Sequence, residues 1–415
     1  MDIVIHRGAR EIGGTCIQMT SGGKSILVDA GHPLGDTSSH IDLSALDFSD
    51  VLISHPHKDH YGMIEEIEKN KTIHVGELGR KLIDAGRIFM GQPALDNSFS
   101  YYENRKPFVI GPFTVTPYLM DHSSVDAFGF LIEAEGKRIY YSGDFRSHGM
   151  KKKVFKWFLS DPPRDVDLLL LEGTMMSRMG RDSDKESVLE NQMLEIIKGA
   201  IGACFLICSG QHIDRLSASF RACKRARRIF VIDIYTAYIL RLVSDRFENV
   251  PDFTDKHFRV LTKGKTASAH FSKVAANRRL FGNFISDIFV VGTQIGKEEI
   301  LDKPGKFFLK ISNFSDLLDA LSETPVSVIY SQWDGYKKEK YNPSGFMKFV
   351  DLENNPNIEF HNVHTSGHAV LSDLQELAEA VRPGIVAPIH TENANNYHKY
   401  FSNVQLLGDG EAFSI

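Results

Sequence analysis

The sequence predicts an α/β protein in two parts: a strand-rich part carried by both ends of the chain, and a parallel α/β unit inserted between them. Three observations carry that prediction. Through about residue 140, short apolar or alternating runs are separated by glycine-rich turns. From about residue 184, strand-like and helix-like runs alternate, which is the pattern of a mostly parallel sheet with helices on its faces. After about residue 359 the short strand-and-loop texture returns. The expected division is 1–183, 184–359 and 360–415, and 415 residues suffice for two domains.

Taken in order, 2–5, 15–20 and 25–29 read as strands, with Gly13-Gly14 and Gly22-Gly23 as turns. Asp50-Val51-Leu52-Ile53 is a buried strand that leads into Ser54-His55-Pro56-His57-Lys58-Asp59-His60. Helices are expected near 63–69 and over 78–90, and 97–106 is polar and expected as a loop. The strand 113–118 delivers Asp121-His122, and the hairpin 128–134/138–142 ends in Ser142-Gly143-Asp144. The apolar strand 166–171 ends on Glu172. In the insert, helices are expected at 185–200, 213–225 and 235–247, and strands at 203–208, 228–233, 288–291, 307–311 and 326–330. The strand 358–363, the helix 371–381 and the strand 385–389, which ends on His390, close the chain. Again and again a strand finishes on a ligand-type residue, and strand ends of packed sheets are where sites are built.

Composition narrows the classes. Apolar content of 42% and charged content of 24% are ordinary for a globular enzyme. A net charge of −5 excludes a protein that coats nucleic acid wholesale, but leaves room for a locally basic groove. The four cysteines (Cys16, Cys204, Cys208, Cys223) show no paired spacing, so they read as small buried thiols of a reducing compartment. The N-terminal stretch has no signal-peptide character and no apolar run approaches membrane-spanning length, so a soluble, cytoplasmic protein without a membrane partner is expected.

The chemistry concentrates in the pattern H-x-H-x-D-H. His55 and His57, two apart, point the same way on an extended segment, while Asp59 and His60 turn to a neighbouring point. Imidazole and carboxylate suit zinc, and manganese or iron less exclusively. A pair of ions roughly 3.5–4 Å apart needs a full donor set with a bridging carboxylate. His55, His57 and His122 are the candidates for one ion, Asp59, His60 and His390 for the other, with Asp144 as the bridge. Alone, His122 or Asp144 reads as an ordinary residue after a strand. Their joint arrival downstream of H-x-H-x-D-H makes them ligands.

The series Asp29, His55-x-His57-x-Asp59-His60, His122 and Asp144 resembles the first four motifs of the metallo-β-lactamase superfamily. Glu172, His368 in His364-Thr365-Ser366-Gly367-His368 and His390 in Pro388-Ile389-His390-Thr391-Glu392 resemble the further motifs of its β-CASP branch, nucleases that include ribonuclease J. The resemblance runs from Gly8-Ala9-Arg10-Glu11-Ile12-Gly13-Gly14 to the end of the chain. It implies an αββα sandwich with the α/β unit inserted as a β-CASP domain and the site in the cleft between them. It gives Asp29 the task of hydrogen-bonding a ligand histidine, and Glu172 that of orienting His368.

The activity so implied is that of a two-zinc ribonuclease, acting as an endonuclease, a 5′-exonuclease or both, with manganese as the alternative metal. A hydroxide shared by the metals attacks a phosphodiester in line, Asp59 helps to orient it, and His368 protonates the departing 3′-oxygen. Single-stranded RNA is the expected partner. His364 and Ser366, and less directly Ser209 and Ser331 in loops after strands, are candidate phosphate contacts, with ordinary Ser/Gly turn chemistry as the competing reading. The basic runs at 221–228 and 151–153 read first as solvated faces. A DNA nuclease or small-ester hydrolase with the same site, and a non-catalytic nucleic-acid-binding protein, stand as alternatives. The sequence ends at Ile415, about where the sandwich is expected to close, and the resemblance does not reach the additional C-terminal domain of long ribonuclease J enzymes. Oligomeric state is left open, with a homodimer among the options.

Overall fold

Four consecutive leucines, Leu168 to Leu171, are all fully buried, and alternation along a strand sends them to two different cores. Leu168 and Leu170 pack with Ile17, Phe113 and Phe130 between two sheets. Leu169 and Leu171 pack with Phe155 and Phe158 of helix Lys152–Ser160 and with Leu374 and Leu377 of helix Leu371–Val381. A strand covered on both faces carries an unbroken apolar run instead of an alternating one. The computed structural model describes residues 1–35, 40–178, 184–321 and 323–415. Its contacts separate two units, Met1–Arg80 with Leu95–Ser183 and Ser366–Ile415, and Lys81–Ala94 with Asp184–Thr365.

The first unit is the expected sandwich. One sheet orders its strands Ala412–Ser414, Asp2–Arg7, Cys16–Ser21, Lys24–Val28, Asp50–Leu52, Thr72–Val75, Ser98–Tyr101. The other orders Ile385–Ile389, Leu168–Glu172, Lys137–Tyr141, Ala127–Ala134, Phe113–Met120, Phe108–Ile110. Ala127–Ala134 is antiparallel to both Phe113–Met120 and Lys137–Tyr141, and Lys137–Tyr141, Leu168–Glu172 and Ile385–Ile389 are parallel. Four strands therefore run the same way, so Asp121-His122, Asp144, Glu172 and His390 emerge at one edge. In the facing sheet Lys24–Val28 and Asp50–Leu52 are parallel, and Asp29 and the histidine loop leave together. The hairpin turn at Glu135 (φ 51°) and Gly136 (φ 74°) has the doubly positive φ that a two-residue loop needs to match strand twist.

The second unit is a seven-stranded parallel sheet, ordered Gln294–Ile295, Phe258–Leu261, Ile229–Ile232, Phe307–Lys310, Ala203–Ile207, Val326–Tyr330, Ile358–Asn362. Helices such as Glu186–Gly199, Ile213–Arg225 and Ile234–Ser244 connect the strands, as a parallel sheet requires. Among the described residues no helix is long and apolar enough to cross a membrane.

Several expectations need correction. In place of a helix over 63–69 there is one α-turn, Lys58–Tyr61, and a 3-10 turn, Ile64–Glu66, since so short a segment does not recover the cost of helix nucleation. The polar stretch 97–106 contains the strand Ser98–Tyr101, which pairs with Thr72–Val75 and has the Arg80 guanidinium over its Phe99 ring at 3.6 Å. Residues 288–291, expected as a strand, end the helix Phe284–Val291, whose C-cap Gly292 is left-handed. A short apolar run fits either state, and periodicity alone does not separate them. The boundary at 359/360 cuts the strand Ile358–Asn362, which pairs along its length with Val326–Tyr330, so the second unit continues to Thr365. It also takes in Lys81–Ala94. The other expected boundary, 183/184, adjoins 179–183, which lie outside the described residues.

Candidate metal centre

The histidine loop is fastened by its backbone. Ala30 N–H donates to the His60 carbonyl at 2.8 Å, His32 N–H to Lys58 at 2.9 Å and Thr15 N–H to Asp59 at 3.1 Å. This close approach is open only to glycine at position 31, where a Cβ would lie 1.8 Å from the Asp59 carbonyl oxygen. Gly31→Ala is therefore expected to destabilise the fold by about 2–3 kcal/mol, the scale of an overpacked interior, and to displace Asp59. A urea midpoint equal to that of the wild type would contradict this.

Asp29 holds one ligand candidate in place. Its backbone is left-handed (φ 59°) and its carboxylate is fully buried. It accepts hydrogen bonds from Ser54 N–H (2.7 Å), the Ser54 hydroxyl (2.7 Å), the Tyr141 hydroxyl (2.6 Å) and His60 Nδ1 (2.7 Å). A carboxylate on Nδ1 holds the His60 proton there and leaves Nε2 as the nitrogen that can exchange its proton for a metal. That Nε2 lies 3.2 Å from Asp144 Oδ2.

Three groups of donor atoms converge, each with its atoms within 4.8 Å of one another: His55, His57 and His122; Asp59, His60, Asp144 and His390; Asp144, Glu172, His368 and His390. In the first, His57 Nδ1 is 3.1 Å from both His55 Nε2 and His122 Nε2. One ring hydrogen serves only one of those lines, so three nitrogens this close call for a cation. Donors tetrahedral around zinc at its usual bond length stand roughly 3.3 Å apart, which this spacing fits. In the second group His390 Nε2 is 3.4 Å from Asp59 Oδ2. Asp144 Oδ2 also lies 3.8 Å from His55 Nε2, so one carboxylate stands between the two groups. The donors suit divalent metal ions.

Glu172, fully buried, accepts N–H bonds from Phe145 (3.4 Å), Ala369 (3.2 Å) and Thr174 (3.1 Å), and its Oε1 is 3.4 Å from His368 Nδ1. Of all these side chains only His57, Asp59 and His368 are partly exposed, so solvent reaches the cluster from their side.

Electrostatics divides the histidines. Burial, reinforced by neighbouring imidazoles, pushes His55 and His122 well below the usual histidine range, and burial takes His57 down to about 4. These three are neutral imidazoles at pH 7, the form in which histidine can take a metal. Burial also works against the charged form of His60, but Asp144, Asp29 and Asp59 together hold its pKa well above the usual value. His368 is likewise opposed by burial and raised by Glu172 and Asp144, to about 9. Asp59 and Asp144, despite burial, stay ionised because of His60 and His390. The carboxylates thus demand positive charge, which imidazolium supplies without metal and a cation supplies with it. Metal uptake should release a proton from His60, and apparent affinity should rise as pH is raised above 6.5. Zinc titration calorimetry in buffers of different ionisation enthalpy checks this: heats independent of buffer would contradict proton release.

Two partners gave no sequence signal of their own. The Thr174 hydroxyl lies 2.8 Å from His390 Nδ1, and its position after Glu172 carries no motif. Tyr141 ends a strand buried on both faces, where alternation points its ring inward and a buried hydroxyl needs a partner, here Asp29.

The phosphate candidates fall in different environments. His364 is exposed and belongs to the second unit, while Ser366 belongs to the first. Ser366 Oγ accepts from His368 N–H at 3.1 Å, and its carbonyl from His148 Nε2 at 2.8 Å and Arg146 at 3.0 Å. Ser209 Oγ accepts from Gln211 N–H at 3.2 Å, as turn serines do. Ser331 departs from expectation: it is 2% exposed, with its hydroxyl held between Arg215 and the Val363 carbonyl. Much of the basic run is spent internally, Arg221 and Arg225 on Glu190 at 2.8 and 3.1 Å and Arg228 on buried carbonyls. The four cysteines are buried and unpaired, and burial pushes their thiols up.

Residues 24–208 match the beta-lactamase superfamily domain. The chain is 24% identical over 369 residues to ribonuclease J of Mycoplasma pneumoniae, covering 82% of this chain and 57% of that one. It is 20% identical over 461 residues to ribonuclease J of Helicobacter pylori strain J99, covering 98% and 59%. A probable RNase MJ4 of Methanocaldococcus jannaschii is 26% identical over 221 residues, covering 48% and 50%. The chain thus spans less than two thirds of the length of these relatives. A crystal structure of a protein of unknown function from Enterococcus faecalis V583 superposes with a TM-score of 0.75 at 18% identity, covering 99% of both chains, and shares the fold.

Proposed function

We propose that the chain is a zinc-dependent ribonuclease that hydrolyses single-stranded RNA, with manganese able to replace zinc, a reading supported by the match of residues 24–208 to the beta-lactamase superfamily domain. The observation that carries this reading is the convergence of two donor groups, His55, His57 and His122, and Asp59, His60, Asp144 and His390, beside His368, whose Nδ1 is 3.4 Å from Glu172. The similarity to proteins named ribonuclease J supports RNA as the polymer.

His55, His57 and His122 would hold one ion and Asp59, His60 and His390 another, with Asp144 available to either group. When bound, the ions supply Lewis-acid chemistry, lowering the pKa of water and offsetting the charge that develops on phosphate. Asp29 holds a proton on His60 Nδ1, so that Nε2 is the nitrogen that can take the metal. Asp59, partly exposed, orients the attacking water and accepts its hydrogen bond. The new bond joins water oxygen to phosphorus as the bond from phosphorus to the 3′-oxygen breaks, and His368 gives its proton to that oxygen. Glu172 aligns the imidazole and favours its charged form. The products are a 3′-hydroxyl and a 5′-phosphate. The inserted α/β unit is the β-CASP domain that selects a polymer, and the four unpaired thiols suit a cytoplasmic setting.

End-labelled single-stranded RNA and DNA, each with a 5′-hydroxyl, monophosphate or triphosphate, test the proposal directly. Zinc-loaded protein should degrade RNA, and the ladder will separate internal cuts from 5′-terminal ones. Intact RNA, or cleavage of DNA alone, would overturn it.

A further inference from the structure

The strands Leu168–Glu172 and Ile385–Ile389 are parallel, with Glu172 opposite Ile389, so the residues that follow each strand meet at one edge of the sheet. Those residues are Gly173-Thr174 on one side and His390 on the other. Glycine permits the approach, because a Cβ at position 173 would collide with the Tyr397 hydroxyl. The Thr174 N–H donates to Glu172 Oε2 at 3.1 Å, and the threonine is buried. Its Oγ1 comes to rest 2.8 Å from His390 Nδ1 and 3.4 Å from the His390 carbonyl oxygen.

His390 has little freedom of its own. It is 1% exposed, its backbone is left-handed (φ 49°), and its N–H donates to the Gly8 carbonyl at 2.6 Å. The other ring nitrogen, Nε2, has no hydrogen-bond partner among the described residues. It faces the second donor group, 3.4 Å from Asp59 Oδ2.

To take a cation, the ring must present Nε2 unprotonated and carry its one hydrogen on Nδ1. A hydrogen on Nε2 would instead point into the donor group and block it. With the hydrogen on Nδ1, the Thr174 oxygen is the acceptor it meets. A hydroxyl can fill that role here because its own hydrogen has an outlet in the His390 carbonyl. Asp144 Oδ1, 3.8 Å from Nδ1, is beyond hydrogen-bond range and does not replace it.

The arrangement parallels that at His60, whose Nδ1 meets Asp29 at 2.7 Å, but the partners differ in kind. An ionised carboxylate only accepts, whereas a hydroxyl can also donate to Nδ1 when the ring hydrogen sits on Nε2. His390 is thus the ligand whose tautomer can follow arrival of the cation, while the Nδ1 proton of His60 is held.

We infer that Thr174 is a positioning residue for the second ion: its hydroxyl holds the His390 hydrogen on Nδ1 and so readies Nε2 to bind. Glu172 then serves two histidines, with Oε1 3.4 Å from His368 Nδ1 and Oε2 on the Thr174 N–H behind His390. The inference rests on the proposed metal centre and not on RNA as the substrate.

Zinc titration of the metal-free full chain, by calorimetry against a competing chelator and without RNA, tests it. Thr174→Val keeps the shape and removes the hydroxyl. Its first equivalent should bind as in the wild type, and its second roughly 10–100-fold more weakly, the range for loss of a partner behind a metal-binding histidine. Thr174→Ser should restore the second equivalent, and Thr174→Ala repeats the test should the valine protein fail to fold. In a His390→Ala background, Thr174→Val should weaken zinc binding no further, which separates action through the ring from a general effect on the fold. Unaltered affinity for the second equivalent in the hydroxyl-free proteins, a further loss in the His390→Ala background, or no second equivalent in the wild type would overturn the inference. RNA left intact by the fully loaded protein would count against the proposed activity alone.

Discussion

Asp144→Ala should abolish the response of this protein to divalent metal. In the wild type, zinc at about 100 times its dissociation constant is expected to stabilise the fold by roughly 2.7 kcal/mol, through binding the native state alone. Asp144 stands between the two donor groups, 3.2 Å from His60 Nε2 and 3.8 Å from His55 Nε2, so its loss opens both. The melting temperature of the variant should no longer rise with zinc. RNA hydrolysis should fall roughly 10³-fold or more, since Lewis-acid stabilisation on the order of 4 kcal/mol is lost with the ions. A variant that binds two zinc equivalents and melts like the loaded wild type would show that Asp144 belongs to neither group.

His368→Ala should act differently. His368 is lifted to about 9 by Glu172 and Asp144 against the effect of burial, and it is one of three partly exposed side chains of the cluster. Loss of a positioned proton donor is expected to lower the turnover number by roughly 10²–10⁴-fold. The variant should still take up zinc, because His55, His57, His122, Asp59, His60 and His390 remain. Substrates with a better leaving group than a 3′-alkoxide, such as nitrophenyl phosphodiesters, should lose much less. An equal loss on both substrates would mean that His368 does not protonate the leaving oxygen.

The contrast between these residues and others explains what the sequence disclosed. Asp29, Asp144, Glu172 and His390 were legible because each follows an apolar strand, and parallel strands deliver their ends to one edge. Thr174 was not, because a hydroxyl that meets His390 depends on a tertiary approach across more than two hundred residues. Ser331 misled for a related reason. A serine after a strand is the same in sequence whether its hydroxyl faces solvent or, as here, is buried between Arg215 and Val363. Residues 288–291 misled by composition, since Ile-Phe-Val-Val serves a buried strand or a helix end equally, and Gly292 decided for the helix. The strand Ser98–Tyr101 lay in a polar stretch whose pairing with Thr72–Val75 is non-local.

The most direct test of a two-metal centre is to strip the protein with chelator, add zinc in measured equivalents, and follow RNA hydrolysis alongside bound metal. Convergence of His55, His57, His122, Asp59, His60, Asp144 and His390 predicts no activity in the stripped protein and recovery that saturates at two equivalents. Full activity in the metal-free protein, or saturation without any bound metal, would contradict it.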